Sequence, residues 1–189
     1  MPEIIWQDSK NFMNKFNKKG FTLIELLIVM AIISIIAAVV FVALDPLTRF
    51  RDSRDAARWT DVSALVSAIK IDQVDNGGDY LTAVKNMGTG VYMIVDGTAP
   101  ADCTAANASC GVDVTAAASC VDLSELVTQG YLGKIPVSPK GGAFTWAGKD
   151  GTSPGVSGLT GYTIEKSSTG ILTVRACEAE NATEIKVSR

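Results

Sequence analysis

Lys18–Leu44 reads KKGFTLIELLIVMAIISIIAAVVFVAL, and this stretch decides where the rest of the chain can go. From Phe21 to Leu44 the run carries a single charge, Glu25. As an α-helix it would be ~36 Å long, enough to cross the hydrocarbon core of a bilayer. Upstream, Lys10, Lys15, Lys18 and Lys19 outweigh Glu3 and Asp8. That bias favours a cytoplasmic N-terminus and sends everything after Leu44 to the outer side. The arginines at 49, 51, 54 and 58 pull the other way, but they alternate with Asp45, Asp52, Asp55 and Asp61 and read as a salt-bridged helix face. A secretory signal peptide fits poorly, because the run is too long for its apolar region and no A-x-A-like site follows. A permanent signal anchor explains the span and the orientation. It leaves unexplained a glycine directly after two lysines and a glutamate inside the apolar run.

The 189 residues leave room for one compact domain beyond this segment, and a hydrophobic share of 47% is ample for its core. Lysine and arginine number 17 against 20 acidic residues, so the balance of −3 points to no nucleic-acid partner. Histidine is absent, which removes the commonest general base and metal ligand. The sequence holds no G-x-S-x-G, no phosphate loop and no carboxylate pair spaced for acid–base work, so no catalytic residue, cofactor or metal is assigned. Four cysteines, Cys103, Cys110, Cys120 and Cys177, suit two disulfides in an oxidising compartment. Three pairings are open. Loop length favours Cys103 with Cys110 and Cys120 with Cys177.

Beyond Pro46 the pattern stays helical. Arg51, Asp55, Arg58 and Asp61 stand three or four apart, and Val62, Leu65, Val66 and Ile69 form an apolar stripe suited to packing on a sheet. Asn76-Gly77-Gly78 then stops the helix, giving one helix from about Phe21 to about Asp75, with Pro46 placed to bend it. The remainder leans toward β structure. Strands are expected at Gly90–Asp96, at Phe144–Ala147, on both sides of a turn at Ser168–Gly170, and near Glu184–Val187. The Ala, Thr, Ser and Cys-rich stretch 97–119 reads as a surface loop, and Asp122 with Glu125 as a capping-box start of a short helix ending at Gly130. Asp72, Asp75 and Asp79 miss the calcium-loop spacing and read as a solvated helix end. Asn107-Ala-Ser109 and Asn181-Ala-Thr183 are formal glycosylation triplets.

The order Lys19, Gly20, Phe21, Thr22, Leu23, Ile24, Glu25, ahead of an unbroken hydrophobic stretch, resembles the type IV prepilin signature that type II secretion and competence pseudopilins share. The resemblance is specific from Lys18 to about Asp45 and weak beyond the amphipathic helix. It implies cleavage after Gly20 by a membrane aspartyl prepilin peptidase and methylation of the new amino group on Phe21. The implied fold is α+β: a long N-terminal helix, transmembrane then amphipathic, packed on a small antiparallel β-sheet head. The implied organisation is a leader over 1–20, an assembly helix over 21–45, an amphipathic half over 46–78 and a disulfide-bonded head over 79–189. Implied partners are membrane lipid, the prepilin peptidase, an inner-membrane assembly platform, and identical or related subunits in a helical homopolymer at the cell surface. The family's frequent glycine and proline positions are Ser34 and Val42 here, and the proline stands instead at Pro46.

The physical logic runs alongside the family name. Cutting on the cytoplasmic side of the span leaves the anchor intact and creates a positive N-terminus four residues before Glu25. A carboxylate this far into an apolar helix costs a few kcal/mol in lipid unless it finds a partner. Its natural partner is the N-terminal ammonium of a neighbouring subunit, and such a pair sets the axial offset between helices. Ser34 and Ala38, with Ala31 nearby, form a small-residue patch that would let helices approach closely.

Overall fold

The computed structural model describes residues 20–97, 103, 104, 107, 110–115, 119–139 and 158–189. The chain falls into two compact units, Met1–Leu44 and Asp45–Arg189. The described part of the first is helix α1 (Leu23–Leu44), in which no residue is buried. The second begins with α2 (Pro46–Asp75), so the single helix expected from Phe21 to Asp75 is divided at Asp45. Asp45 has φ 35° and ψ 74°. Two local causes meet there: a residue before proline is pushed out of the right-handed helical region, and aspartate tolerates the left-handed one. Pro46 opens α2, where its missing N–H costs nothing, and the Thr48 hydroxyl donates to the Asp45 carboxylate at 2.5 Å.

At its other end α2 stops as the sequence predicts. Asn76 caps it, and Gly77 and Gly78 take φ values of 68° and 103°, which let the Gly78 N–H reach the Gln73 carbonyl at 2.8 Å. Short helices α3 (Thr82–Lys85) and α4 (Glu125–Thr128) accompany five strands: β1 (Gly90–Val95), β2 (Cys120–Asp122), β3 (Leu159–Lys166), β4 (Leu172–Ala176) and β5 (Lys186–Ser188). Their order across the sheet is β2-β1-β3-β4-β5. The fold is α+β as expected, but the sheet is mixed. The pairs β1/β3, β3/β4 and β4/β5 are antiparallel, whereas β1 and β2 run parallel with Met93 opposite Cys120. A parallel neighbour needs a long return connection, and the stretch 97–119 is the segment that makes it. Asp122 does not act as half of a capping box. Its carboxylate accepts the Ser124 and Gly97 N–H groups.

The predicted stripe is the core. Val62, Leu65 and Ile69 are fully buried with Val66, against Ile94, Tyr162, Ile164, Val174 and Ile185. Each such side chain contributes about 1.5–3 kcal/mol of transfer free energy. A second, smaller cluster of Met93, Val95, Cys103, Val114, Leu159 and Cys177 uses the alternate residues of β1 and β3. This is why β3, the middle strand, is buried over Leu159–Ile164. Gly90 has φ 139°, and a Cβ there would stand 2.5 Å from the Thr115 hydroxyl. The candidate strand Phe144–Ala147 lies outside the described residues.

The disulfides are Cys103–Cys120 and Cys110–Cys177, not the short-loop pairing that spacing favoured. Topology overrides loop length. Pairing of β2 with β1 sets Cys120 opposite Met93, in the small cluster that also holds Cys103, and Cys177, one residue past β4, lies where the Gly111 N–H meets its carbonyl at 2.8 Å. Peptide mapping under non-reducing conditions is expected to recover these two cross-links; a Cys103–Cys110 peptide in the native protein would refute the assignment. Serine at both 110 and 177 opens a loop with a sequence separation of 67. The expected loss is roughly 4 kcal/mol by loop-closure entropy.

Candidate functional site

The N-terminal unit presents its predicted residues in order along one exposed helix. Gly20 has nothing within 4 Å of where a Cβ would stand, and Phe21 is 84% exposed. Thr22 starts the helix: its hydroxyl accepts the Glu25 N–H at 3.2 Å, and its carbonyl accepts the Leu26 N–H at 3.2 Å. Glu25 therefore falls in the first turn, where a carboxylate is favoured by the N–H groups that the turn leaves unpaired. Among the described residues it has no ion-pair partner. Ala31, Ser34 and Ala38 stand three and four apart on one side of α1, all exposed. The Ser34 hydroxyl donates to the Met30 carbonyl at 2.7 Å, so its polarity is satisfied within the helix and does not hinder contact with lipid or another helix. The leader before Gly20 lies outside the described residues.

An 18-residue window of this helix is apolar enough to cross a membrane, and none of it is buried within the protein. This arrangement offers a single unpaired carboxylate near the end of an otherwise uncharged surface. Such a surface can associate with lipid or with other helices. Among the described residues no group of three or more Asp, Glu or Cys is placed to hold a metal ion. The three aspartates near the end of α2 serve separate purposes. Asp72 is fully buried, accepting the Leu81 N–H and the Asn76 amide, so its expected solvation is wrong; Asp75 accepts the Tyr131 hydroxyl, and Asp79 pairs with Lys85. In the sequons, the Asn107 oxygen accepts the Val114 N–H, and the Asn181 amide donates to the Thr48 carbonyl and the Asp52 carboxylate.

Sequence reading missed the most elaborate polar cluster, which lies within the second unit. The expected salt-bridged face of α2 is present at Asp55 and Arg58, but it is buried there: Asp55 is 5% exposed and Arg58 fully buried. Arg58 donates to Asp55 at 2.8 Å, to Glu180 at 2.9 Å, to the Ser138 hydroxyl at 3.0 Å and to the Pro139 carbonyl at 3.1 Å. Asp55 accepts the backbone N–H groups of Glu180, Asn181 and Ala182. Arg54 grips both oxygens of Glu180. Beside them Asp61 accepts the Tyr162 hydroxyl at 2.6 Å. A signal was present in the sequence, because Arg58 stands four residues before Val62 in the buried row 58, 62, 65, 69.

These carboxylates make acid the weak point of the second unit. Burial pushes the Asp55 carboxyl up, but the N–H groups of residues 180–182 and the Arg58 guanidinium more than offset it, and it lies below its ordinary value of 3.8. The Arg54 hydrogen bonds hold Glu180 below its ordinary 4.5, against burial and with help from Arg58. A lowered folded-state value means that this stabilisation is fully present above the unfolded-state values and is lost as pH falls through the folded ones. Asp61 runs the other way, raised chiefly by burial, so its protonation in acid offsets part of the loss. Thermal melts are expected to hold steady down to about pH 5 and then fall steeply. Melts that stay flat to about pH 2 would contradict this account of the cluster.

Compared with protein-family models, residues 15–41 match the prokaryotic N-terminal methylation motif. No curated protein and no solved structure matches the chain. The matched span contains Gly20 and Phe21, just before α1, and Glu25, Ala31, Ser34 and Ala38 along it.

Proposed function

We propose that this chain, a prepilin-like protein of the type IV pilin and pseudopilin family by its methylation motif, is a structural subunit of a type IV pilus-type filament. The observation that carries the reading is Glu25: one carboxylate, without an ion-pair partner among the described residues, at the start of a membrane-length helix with no buried residue. In this reading the precursor sits in the membrane with its N-terminus cytoplasmic. A prepilin peptidase cuts between Gly20 and Phe21 and methylates Phe21, and an inner-membrane platform passes the subunit into the fibre. There α1 exchanges lipid for the helices of identical or related subunits. The N-terminal ammonium of one subunit pairs with Glu25 of the next, while Ala31, Ser34 and Ala38 keep the helices close. Secretion and competence pseudopili use the same motif, and filament length in the native cell separates them from a surface pilus.

N-terminal sequencing and intact mass of the membrane-associated protein, made together with its assembly machinery, test the reading. The expected chain begins at Phe21, carries one added methyl group and contains two disulfides. A chain that keeps its leader and an unmethylated N-terminus would leave a signal-anchored outer domain that does not polymerise.

A further inference from the structure

The row of α2 that packs on the sheet passes through Arg54, Arg58, Val62, Leu65 and Ile69 at spacings of three and four. Leu47, Phe50 and Arg51 continue this row toward the start of the helix, but the cover ends before it reaches them. Leu47 is 68% and Phe50 63% exposed. Arg49 and Arg51 are exposed as well, and among the described residues neither belongs to an ion pair. The carboxylates of the same turns are engaged by neutral donors, Asp45 by the Thr48 hydroxyl and Asp52 by the Asn181 amide.

Chain connectivity limits where this segment can be. Leu47 follows Leu44, the last residue of α1, by three residues, a reach of at most ~11 Å. From Leu47 to Arg51 the helix rises only ~6 Å. The headgroup layer is roughly 5–7 Å deep on each face of a bilayer. With α1 as the span, two bare apolar side chains and two bare guanidiniums are tethered at the depth where hydrocarbon gives way to phosphate.

We propose that Leu47–Arg51 docks on the outer surface of the membrane before assembly, with Leu47 and Phe50 at the acyl boundary and Arg49 and Arg51 on the phosphates of anionic phospholipid. The proposal rests on the reading of α1 as the membrane span. A bilayer surface supplies both chemistries side by side, and long arginine side chains reach its phosphates while their stems cover apolar surface. Two copies meeting through this segment would instead bring four unpaired guanidiniums to one apolar contact, a like-charge arrangement that disfavours pairing. Entry into a filament must then release this segment from lipid, so the docked turns hold the subunit at a fixed depth until that step.

The test uses the full chain in phosphatidylglycerol vesicles, with the photo-crosslinking residue benzoylphenylalanine in place of Phe50. Irradiated protein is weighed intact. The expected product is a phospholipid adduct, with its ratio to unreacted chain falling roughly fivefold for each arginine replaced in Arg49→Glu and Arg51→Glu. In neutral phosphatidylcholine the arginine changes should have little effect. A product dominated by cross-linked pairs of chains, or the absence of lipid adduct, would overturn the docking proposal. The same probe at Ile36, inside α1, separates the two readings. Lipid adduct at 36 without adduct at 50 rejects the docking alone; no adduct at either position rejects the membrane span and the docking with it.

Discussion

Replacing Glu25 with alanine is expected to remove filaments from the cell while leaving the precursor inserted, cleaved and methylated. In the proposed reading the cut follows Gly20, and Glu25 lies more than a turn further along, so the substitution leaves the small residue and the open space around it unchanged. What the substitution removes, in the proposed assembly, is the partner of a neighbouring subunit's N-terminal ammonium. At ~4 Å and an effective dielectric near 20, such a pair is worth about 4 kcal/mol before desolvation is counted. A net loss of about 3 kcal/mol at each subunit contact lowers the association constant by roughly two orders of magnitude. Growth of a helical polymer depends on that constant at every addition, so sheared surface filaments should fall to about 1% of the wild-type yield or less. Glu25→Gln keeps the shape and removes the charge, and it should resemble alanine. Glu25→Asp, one methylene shorter, should recover part of the yield. Filaments of normal number and length from the alanine protein, with cleavage intact, would show that Glu25 does not direct assembly.

Arg58→Ala is expected to lower the stability of the second unit by about 3–5 kcal/mol, the usual cost of breaking a buried ion pair from one side. The guanidinium bonds two carboxylates, a hydroxyl and a carbonyl. Its removal leaves Asp55 without a cation and Glu180 with Arg54 alone, with the Ser138 hydroxyl deprived of its donor. For a folded unit of this size the melting temperature should drop by roughly 10–15 °C. Arg51→Ala is the internal control on the same helix. Arg51 is exposed and outside every ion pair among the described residues, so its loss should stay within about 0.5 kcal/mol. Equal melting temperatures for the two variants would mean that the buried cluster contributes no more than a surface charge.

The contrast between these arginines marks the limit of what sequence made legible. Features written in local periodicity were readable: the apolar run of α1, the stripe Val62, Leu65, Val66, Ile69, the stop at Asn76–Gly78, β1, the β3–β4 hairpin and the strand that follows it. Each rests on neighbours within a few positions, where helix and strand geometry impose a repeat. Features set by distant partners were not. Arg58 read as part of a helix face held by local pairs, because Asp55 and Asp61 are acidic and correctly spaced; its further partner Glu180 is 122 positions away. β2 has only three residues and no repeat to display, so it exists through its pairing with β1. The cysteine partners depend on such distant pairings, Cys120 lying in β2 and Cys177 one residue past β4, which is why loop length gave the wrong partners. At the N-terminus, the spacing of Gly20, Phe21 and Glu25 carried the candidate site almost entirely, since that site is a short linear segment.

The Asp55 carboxylate has one further consequence, for the order in which the molecule is made. The groups it holds are the N–H donors of residues 180, 181 and 182, separated from it by 125 to 127 positions. The first turns of α2 therefore cannot complete these contacts until residues 180–182 have been made. Contacts between the two ends of a chain are the slowest to close. Until they do, Arg58 and Asp55 remain hydrated and the sheet lacks its last strand. A nascent chain stalled before residue 178 should accordingly leave Asp55 without these three donors, and be cleaved by protease faster than one extended through Lys186–Ser188.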